Sequence, residues 1–164
     1  MGPDHLEGVG HMAMVADMQG VPFYLMQPEG EGPATSFARY EPMPGHCAWN
    51  ELVTDDPDAA DAFYTDLFGW EKGEAMDMGD MGTYQMYTQD DYMLGAIMKR
   101  PDEMPASAWA FYFRVPEIGA AKSQVESSGG QVVSGPMEIP GGEYVLQGFD
   151  PQGAFFSIIG PKGG

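Results

Sequence analysis

The sequence predicts an α+β fold made of two β-α-β-β-β units preceded by one extra β-hairpin. Three observations predict it. The stretch "MVADMQGVPFYLMQP" near the start matches "QGFDPQGAFFSIIGP" at the end without a gap, so that Gly8, Asp17, Gln19, Gly20, Phe23 and Pro28 fall on Gly141, Asp150, Gln152, Gly153, Phe156 and Pro161. Between these stretches the hydrophobic period runs strand, helix, then three short strands. That order then returns once more before the chain ends.

The first hairpin is "HMAMVA" and "VPFYLM" around a turn of Asp17, Gln19 and Gly20, where Gly supplies positive φ and Asp bonds its own backbone. "PEGEGPATSFARYEPMPG" follows, rich in Pro, Gly and Glu and without apolar period, and reads as a linker over residues 29–43. "HCAWNELVT" alternates as a strand should. "DDPDAADAFYTDLFGW" then switches to helical spacing, with Asp56 as cap, Pro57 in the first turn, Ala60, Phe63, Tyr64, Leu67 and Phe68 on one stripe, and Gly69 as the stop. "WEKGEAMD", "TYQMYT" and "YMLGAIM" are three strands separated by Gly and Asp turns. In the second unit "WAFYFRV" is the strand and "EIGAAKSQVESSGG" the helix, burying Ile118, Ala121 and Val125. "GQVVSGP", "EYVLQGF" and "AFFSII" complete it. The domain division expected is 1–28 for the hairpin, 29–43 for the linker and 44–161 for the complete domain, with units 44–99 and 106–161.

At 164 residues and 43% apolar content the chain is long enough to bury a core. Its 25 acidic against 7 basic side chains give a net charge of −18, which repels phosphate backbones and anionic lipid. Nucleic-acid and membrane-surface partners are therefore not expected. One cysteine, Cys47, excludes an intrachain disulfide framework; without a signal-like start or a long apolar run, a cytoplasmic location is expected. The 14 methionines are read mainly as core filler.

At "WNELVTDDPDAADAFYTDLFGW" and "DPQGAFFSIIGP" the chain resembles the vicinal oxygen chelate superfamily of glyoxalases, bleomycin resistance proteins and extradiol dioxygenases. The resemblance covers roughly residues 44 to 161. It implies that the paired βαβββ units form a curved mixed sheet around a cleft. It is nearest to the tandem-domain branch, in which two such domains are joined by a Pro-rich linker; residues 1–28 then stand as the tail hairpin of a truncated first domain.

The resemblance also places a divalent metal in that cleft, held from the first and last strand of each unit. Counting from the Phe63–Tyr64 pair and from Asp150 puts those positions at Trp49, Ala96, Ala110 and Ser157, none of which is a competent ligand. A strand slip of one residue offers nothing better. No metal or other cofactor is therefore expected, a divalent metal being the alternative. Glu51 is the only carboxylate on its strand and the one candidate catalytic base, with an ion pair to Arg114 as its structural reading. Alternation turns Phe111, Phe113 and Val115 to the core beneath the helices, and turns Tyr112 and Arg114, with Trp49, Glu51 and Val53, into the cleft. The expected ligand-binding set is Trp49, Glu51, Val53, Ala96, Ala110, Tyr112, Arg114 and Ser157. In it Trp49 and Tyr112 stack on a planar molecule and Arg114 clamps an anionic group, or else Trp49 plugs an abandoned cavity.

His5 is expected in a loose terminus, His11 on the hairpin and His46 at a strand entrance, with nothing in their spacing to bring them together. Cys47 is read as an inert thiol. The leading functional expectation is a small-molecule binding protein; a lyase, isomerase or dioxygenase and a structural subunit without activity are the alternatives. An uncovered hairpin is unstable, so a homodimer formed by exchange through it is expected, the rival being that it folds back over its own domain's sheet.

Overall fold

A computed structural model describes residues 1–32, 35–102 and 104–163; two residues of the expected linker lie outside that set. The chain forms β1 (Asp4–Leu6), β2 (Gly10–Ala16), β3 (Pro22–Pro28), β4 (Cys47–Thr54), α1 (Pro57–Phe68), β5 (Glu71–Asp77), β6 (Thr83–Gln89) and β7 (Tyr92–Lys99). It continues with β8 (Ala108–Arg114), α2 (Ile118–Ser127), β9 (Gln131–Glu138), β10 (Tyr144–Phe149) and β11 (Phe155–Gly160). The architecture is α+β, mostly sheet with two helices and an additional N-terminal hairpin sheet. It divides into two compact units, Met1–Ala34 with Glu51–Trp109 and Thr35–Asn50 with Ala110–Gly164.

In the first unit the strands run β5-β6-β7 and on to the end of β4, with β1-β2-β3 as a separate sheet. Helix α1 starts where the sequence placed it: the Asp56 carboxylate accepts from the Ala59 N–H at 3.1 Å, Pro57 occupies the first turn, and Gly69 ends the helix at φ 70°. Ala60 and Tyr64 are buried with Leu52, Tyr87, Ile97 and Val21, and Phe23, Phe63, Phe68, Trp70 and Trp109 pack around them. Each large side chain so buried contributes roughly 1.5–3 kcal/mol. Leu67, expected on that stripe, is 47% exposed, because the apolar arc is narrower than the sequence spacing suggests.

The second unit carries the start of β4, then β8-β11-β10-β9. Helix α2 sets Ile118 against Leu146 and Ile158, with Val115, Ala121 and Val132 at the margin. Ile158 pairs in parallel register with Phe113, so Phe113 does stand on the helix-facing side as alternation requires. It is nevertheless 44% exposed, and Phe111 is 50% exposed: α2 packs mainly on β9, β10 and β11. The expectation that both phenylalanines are core is corrected on that ground. The methionine reading also holds only in part, since Met86 and Met98 are buried while Met78 and Met81 are exposed.

The two matched hairpins close in the same way. Asp17 accepts from Gln19 N and Val21 N, each at 2.9 Å; Asp150 accepts from Gln152 N and Ala154 N, each at 2.8 Å. Gly20 and Gly153 follow at φ 83° and 86°, each donating to the aspartate carbonyl at 3.0 Å. The N-terminal hairpin folds back on its own chain. Phe23 meets Phe63, Tyr64 and Phe68 edge-on, at centroid distances of 6.2, 5.6 and 6.1 Å. Burial of that face therefore requires no exchange with a second chain.

Burial and hydrogen bonds to Asp17 and Asp61 raise Tyr64 and Tyr87 well above the ordinary phenol range; burial is the larger cause in both. Their folded pKa exceeds the unfolded value of about 10, so their contribution is complete below pH ~10 and is lost as the pH rises above it. Alkaline unfolding is expected to begin there. Phenolate absorbance should show these two tyrosines ionising only with the loss of circular dichroism.

Candidate functional site

In the first unit Leu52 and Ile97 pack toward α1, which sends Glu51, Val53 and Ala96 to the opposite face. Val53 and Ala96 are 4% and 1% exposed. Glu51 is buried and accepts a 2.8 Å hydrogen bond from the Tyr84 hydroxyl. Tyr84 is the partner the sequence did not reveal. It lies on β6, two positions from Met86, the cross-strand partner of Ala96, and only the β6–β7 register brings it to β4.

In the second unit Leu146 and Ile158 face α2, so Gln147, Ser157 and Ile159 face away from it. Tyr112 pairs with Ser157 in register, and Gln147 Nε2 donates to the Tyr112 hydroxyl at 2.8 Å. Ala110, Tyr112 and Ser157 are all buried. The Ser157 Oγ has no hydrogen-bond partner there. Gln147, half-buried on the neighbouring strand and directly opposite Ser157, belongs to this polar group and was missed because β10 reads only as apolar alternation.

Arg114 is buried and ion-paired with Glu143, a partner that the sequence did not reveal. The reason is topological. Glu143 sits just before β10, where the turn from β9 brings its carboxylate beside the end of β8. Trp49 is half-buried under the Arg39 guanidinium, 5.1 Å from its ring centroid. Arg39 comes from the expected linker, in which Phe37 bridges to Cys47 and Ala38 N donates to Cys47 O at 2.8 Å. Alternation in β4 also breaks. The Cys47 thiol reaches the Asn50 side chain at 3.4 Å as well as the Trp49 carbonyl at 3.3 Å, so side chains three apart share a side.

Burial raises the Cys47 thiol above its ordinary range, with backbone hydrogen bonds at Trp49 and Tyr112 opposing. Less thiolate is then present at neutral pH. Iodoacetamide at pH 8 is expected to alkylate native Cys47 at least tenfold more slowly than the urea-unfolded chain, as followed by mass spectrometry. Equal rates would contradict the burial argument.

His5 is not in a loose terminus. Strand β1 pairs it with His11, ring centroids 4.8 Å apart, and its Nε2 contacts Glu29. The terminus reads as loose because three residues are too short for a period. Among the described residues no group of three or more His, Cys, Asp or Glu is placed to hold a metal ion. The donor set at the four positions expected of a metal centre is indole, two methyl groups and a hydroxyl, which does not fit one. No described helix is long and apolar enough to cross a membrane.

Comparison with known proteins bears on this geometry. The family described as Glyoxalase/Bleomycin resistance protein/Dioxygenase superfamily matches residues 44–158. A Mycobacterium tuberculosis protein named "Putative glyoxylase CFP32" is 32% identical over 153 residues, covering 93% of this chain and 56% of its own length. The anthracycline biosynthesis protein DnrV of Streptomyces peucetius is 30% identical over 129 residues, covering 70% of this chain and 46% of its own. The chain thus spans about half the length of the curated relatives it matches. Among solved structures, methylmalonyl-CoA epimerase of Streptomyces coelicolor superposes with a TM-score of 0.55 at 14% identity, over 73% of this chain and 96% of that one. The enzyme of the same name from Mycobacterium tuberculosis gives 0.53 at 16% identity, over 80% and 93%. At such identity these two establish the fold alone.

Proposed function

This chain belongs to the glyoxalase/bleomycin resistance protein/dioxygenase superfamily, and from that premise we propose that it is a metal-free member that binds a small aromatic or anionic molecule. One observation carries the reading: Ser157 Oγ is buried without a partner beside Tyr112 and Gln147. A buried hydroxyl left unpaired costs about 1–3 kcal/mol, which a ligand supplying its hydrogen bond recovers. Tyr112 offers an aromatic face on the same side of the sheet. A ligand that binds the native state only must raise the melting temperature.

Metal analysis of protein purified without chelator is expected to find no stoichiometric divalent ion, and added Mn²⁺ or Zn²⁺ should leave the melting temperature unchanged. A thermal-shift screen with aromatic carboxylates should return hits that Ser157→Ala weakens. A bound ion at one equivalent, or hits indifferent to Ser157, would overturn the reading.

A second reading rests on Glu51 and Tyr84. A buried carboxylate bonded to a phenol is a proton-transfer pair, and supports a lyase or isomerase in which Glu51 is the base. Any turnover abolished by Glu51→Gln with unchanged ligand affinity would favour it. The outer hairpin face, where Met14, Tyr24 and Met26 are exposed, is the place for a homodimer contact. Light scattering on the intact chain tests that contact, and a monomer at all concentrations rejects it.

A further inference from the structure

The second unit holds a pocket of about 320 Å³ lined by Pro42, Pro44, Val115, Pro116 and Pro161, with Arg114 and Glu143 as its charged groups. That volume is at the small end of ligand pockets. The Arg114 side chain is only 5% exposed. Its Nη1 is bound to Glu143, and its Nε–H has no partner. A guanidinium grips a carboxylate along the edge shared by Nε and Nη2, and here the Nε end of that edge is unsatisfied. Glu143 is 28% exposed, so its carboxylate keeps room for a second donor.

The walls narrow the choice. Prolines contribute rings and no N–H, so they add apolar surface without competing donors. Backbone hydrogen bonds hold the chain beside Pro44 and at Pro161. Gly45 N donates to Arg114 O, and Arg114 N to His46 O, both at 2.8 Å; Ile118 N donates to Pro161 O at 2.9 Å.

Charge decides the class. A simple carboxylate on the unsatisfied Nε of Arg114 would sit in the neighbourhood of Glu143, on a chain of net charge −18. A simple amine would satisfy Glu143 and leave the buried Nε–H unmet. A molecule carrying both groups answers both and adds no net charge. We propose that this proline-walled pocket binds a small apolar α-amino acid, its carboxylate on Arg114, its ammonium on Glu143 and its side chain against the proline rings. The site uses neither Ser157 nor Gln147, so it stands or falls separately from the function proposed above.

L-Leucine, 4-methylpentanoate, which lacks the ammonium, and leucinamide, which lacks the carboxylate, are the probes. Each is titrated into the intact chain by calorimetry, with the Arg114 Nε–H resonance followed by NMR. Leucine is expected to shift that resonance and to bind at least about tenfold more tightly than either truncated analogue, a factor of ten being about 1.4 kcal/mol. Glu143→Gln, nearly isosteric, should remove the preference for leucine over 4-methylpentanoate. The proposal is overturned if 4-methylpentanoate binds wild-type protein as tightly as leucine. It is equally overturned if leucine at its solubility limit leaves the Arg114 resonance in place.

Discussion

Asp17→Ala is expected to destabilise the chain by about 3 kcal/mol, while Asp150→Ala, the same change in the matched turn, costs only about 1 kcal/mol. Both aspartates accept two backbone N–H groups at nearly equal distances. The turns therefore lose the same local bonds. What differs is where the orphaned donors end up. Asp17 is 6% exposed, Val21 is 2% exposed, and the Tyr64 hydroxyl donates to Asp17 at 3.2 Å, so the substitution strands a buried N–H and a buried phenol. At Asp150 both bonds are exposed and water replaces the carboxylate. Urea denaturation of the two variants checks this, and a Tyr64→Phe cycle isolates the phenol's share. Equal midpoints for the two alanine variants would mean that the N-terminal hairpin is not seated on α1.

Removing Glu143 should cost more than removing Arg114, although the two form one ion pair. Glu143→Leu leaves a 5% exposed guanidinium without its counter-charge, whereas Arg114→Leu leaves a carboxylate that already meets solvent. Breaking a fully buried pair costs about 3–5 kcal/mol; the partial exposure of Glu143 reduces this to about 2 kcal/mol for Glu143→Leu, and to well under 1 kcal/mol for Arg114→Leu. The chain's net charge of −18 works the other way, since losing a carboxylate relieves general repulsion and losing an arginine adds to it. The buried charge decides, because long-range repulsion is screened at ordinary ionic strength while a desolvated guanidinium is not. Chemical denaturation in ~0.15 M salt measures the order. If Arg114→Leu is the less stable variant, the pair is not arranged as described.

The element order from β2 onward, the caps of α1 and both Asp-Gly turns were legible in the sequence, whereas β1 was not. Asp56, Pro57, Gly69, Gly20 and Gly153 act through bonds within a few residues of themselves, and local geometry has few solutions. The family was legible for the same reason, its marks lying in "DDPDAADAFYTDLFGW" and in the closing hairpin. The partners of the candidate residues were not. Tyr84 on Glu51, Gln147 on Tyr112, Glu143 on Arg114 and Arg39 over Trp49 all join residues at least ten positions apart, and strand register or a returning loop selects each pair. Alternation told which side of β8 Phe113 occupies; only the reach of α2 decided that this side stays open to solvent. Sequence by itself thus determined what most segments become and to which family the chain belongs. Tertiary structure alone decided which side chains meet, because a pairing between distant strands depends on a register that no single stretch of chain contains.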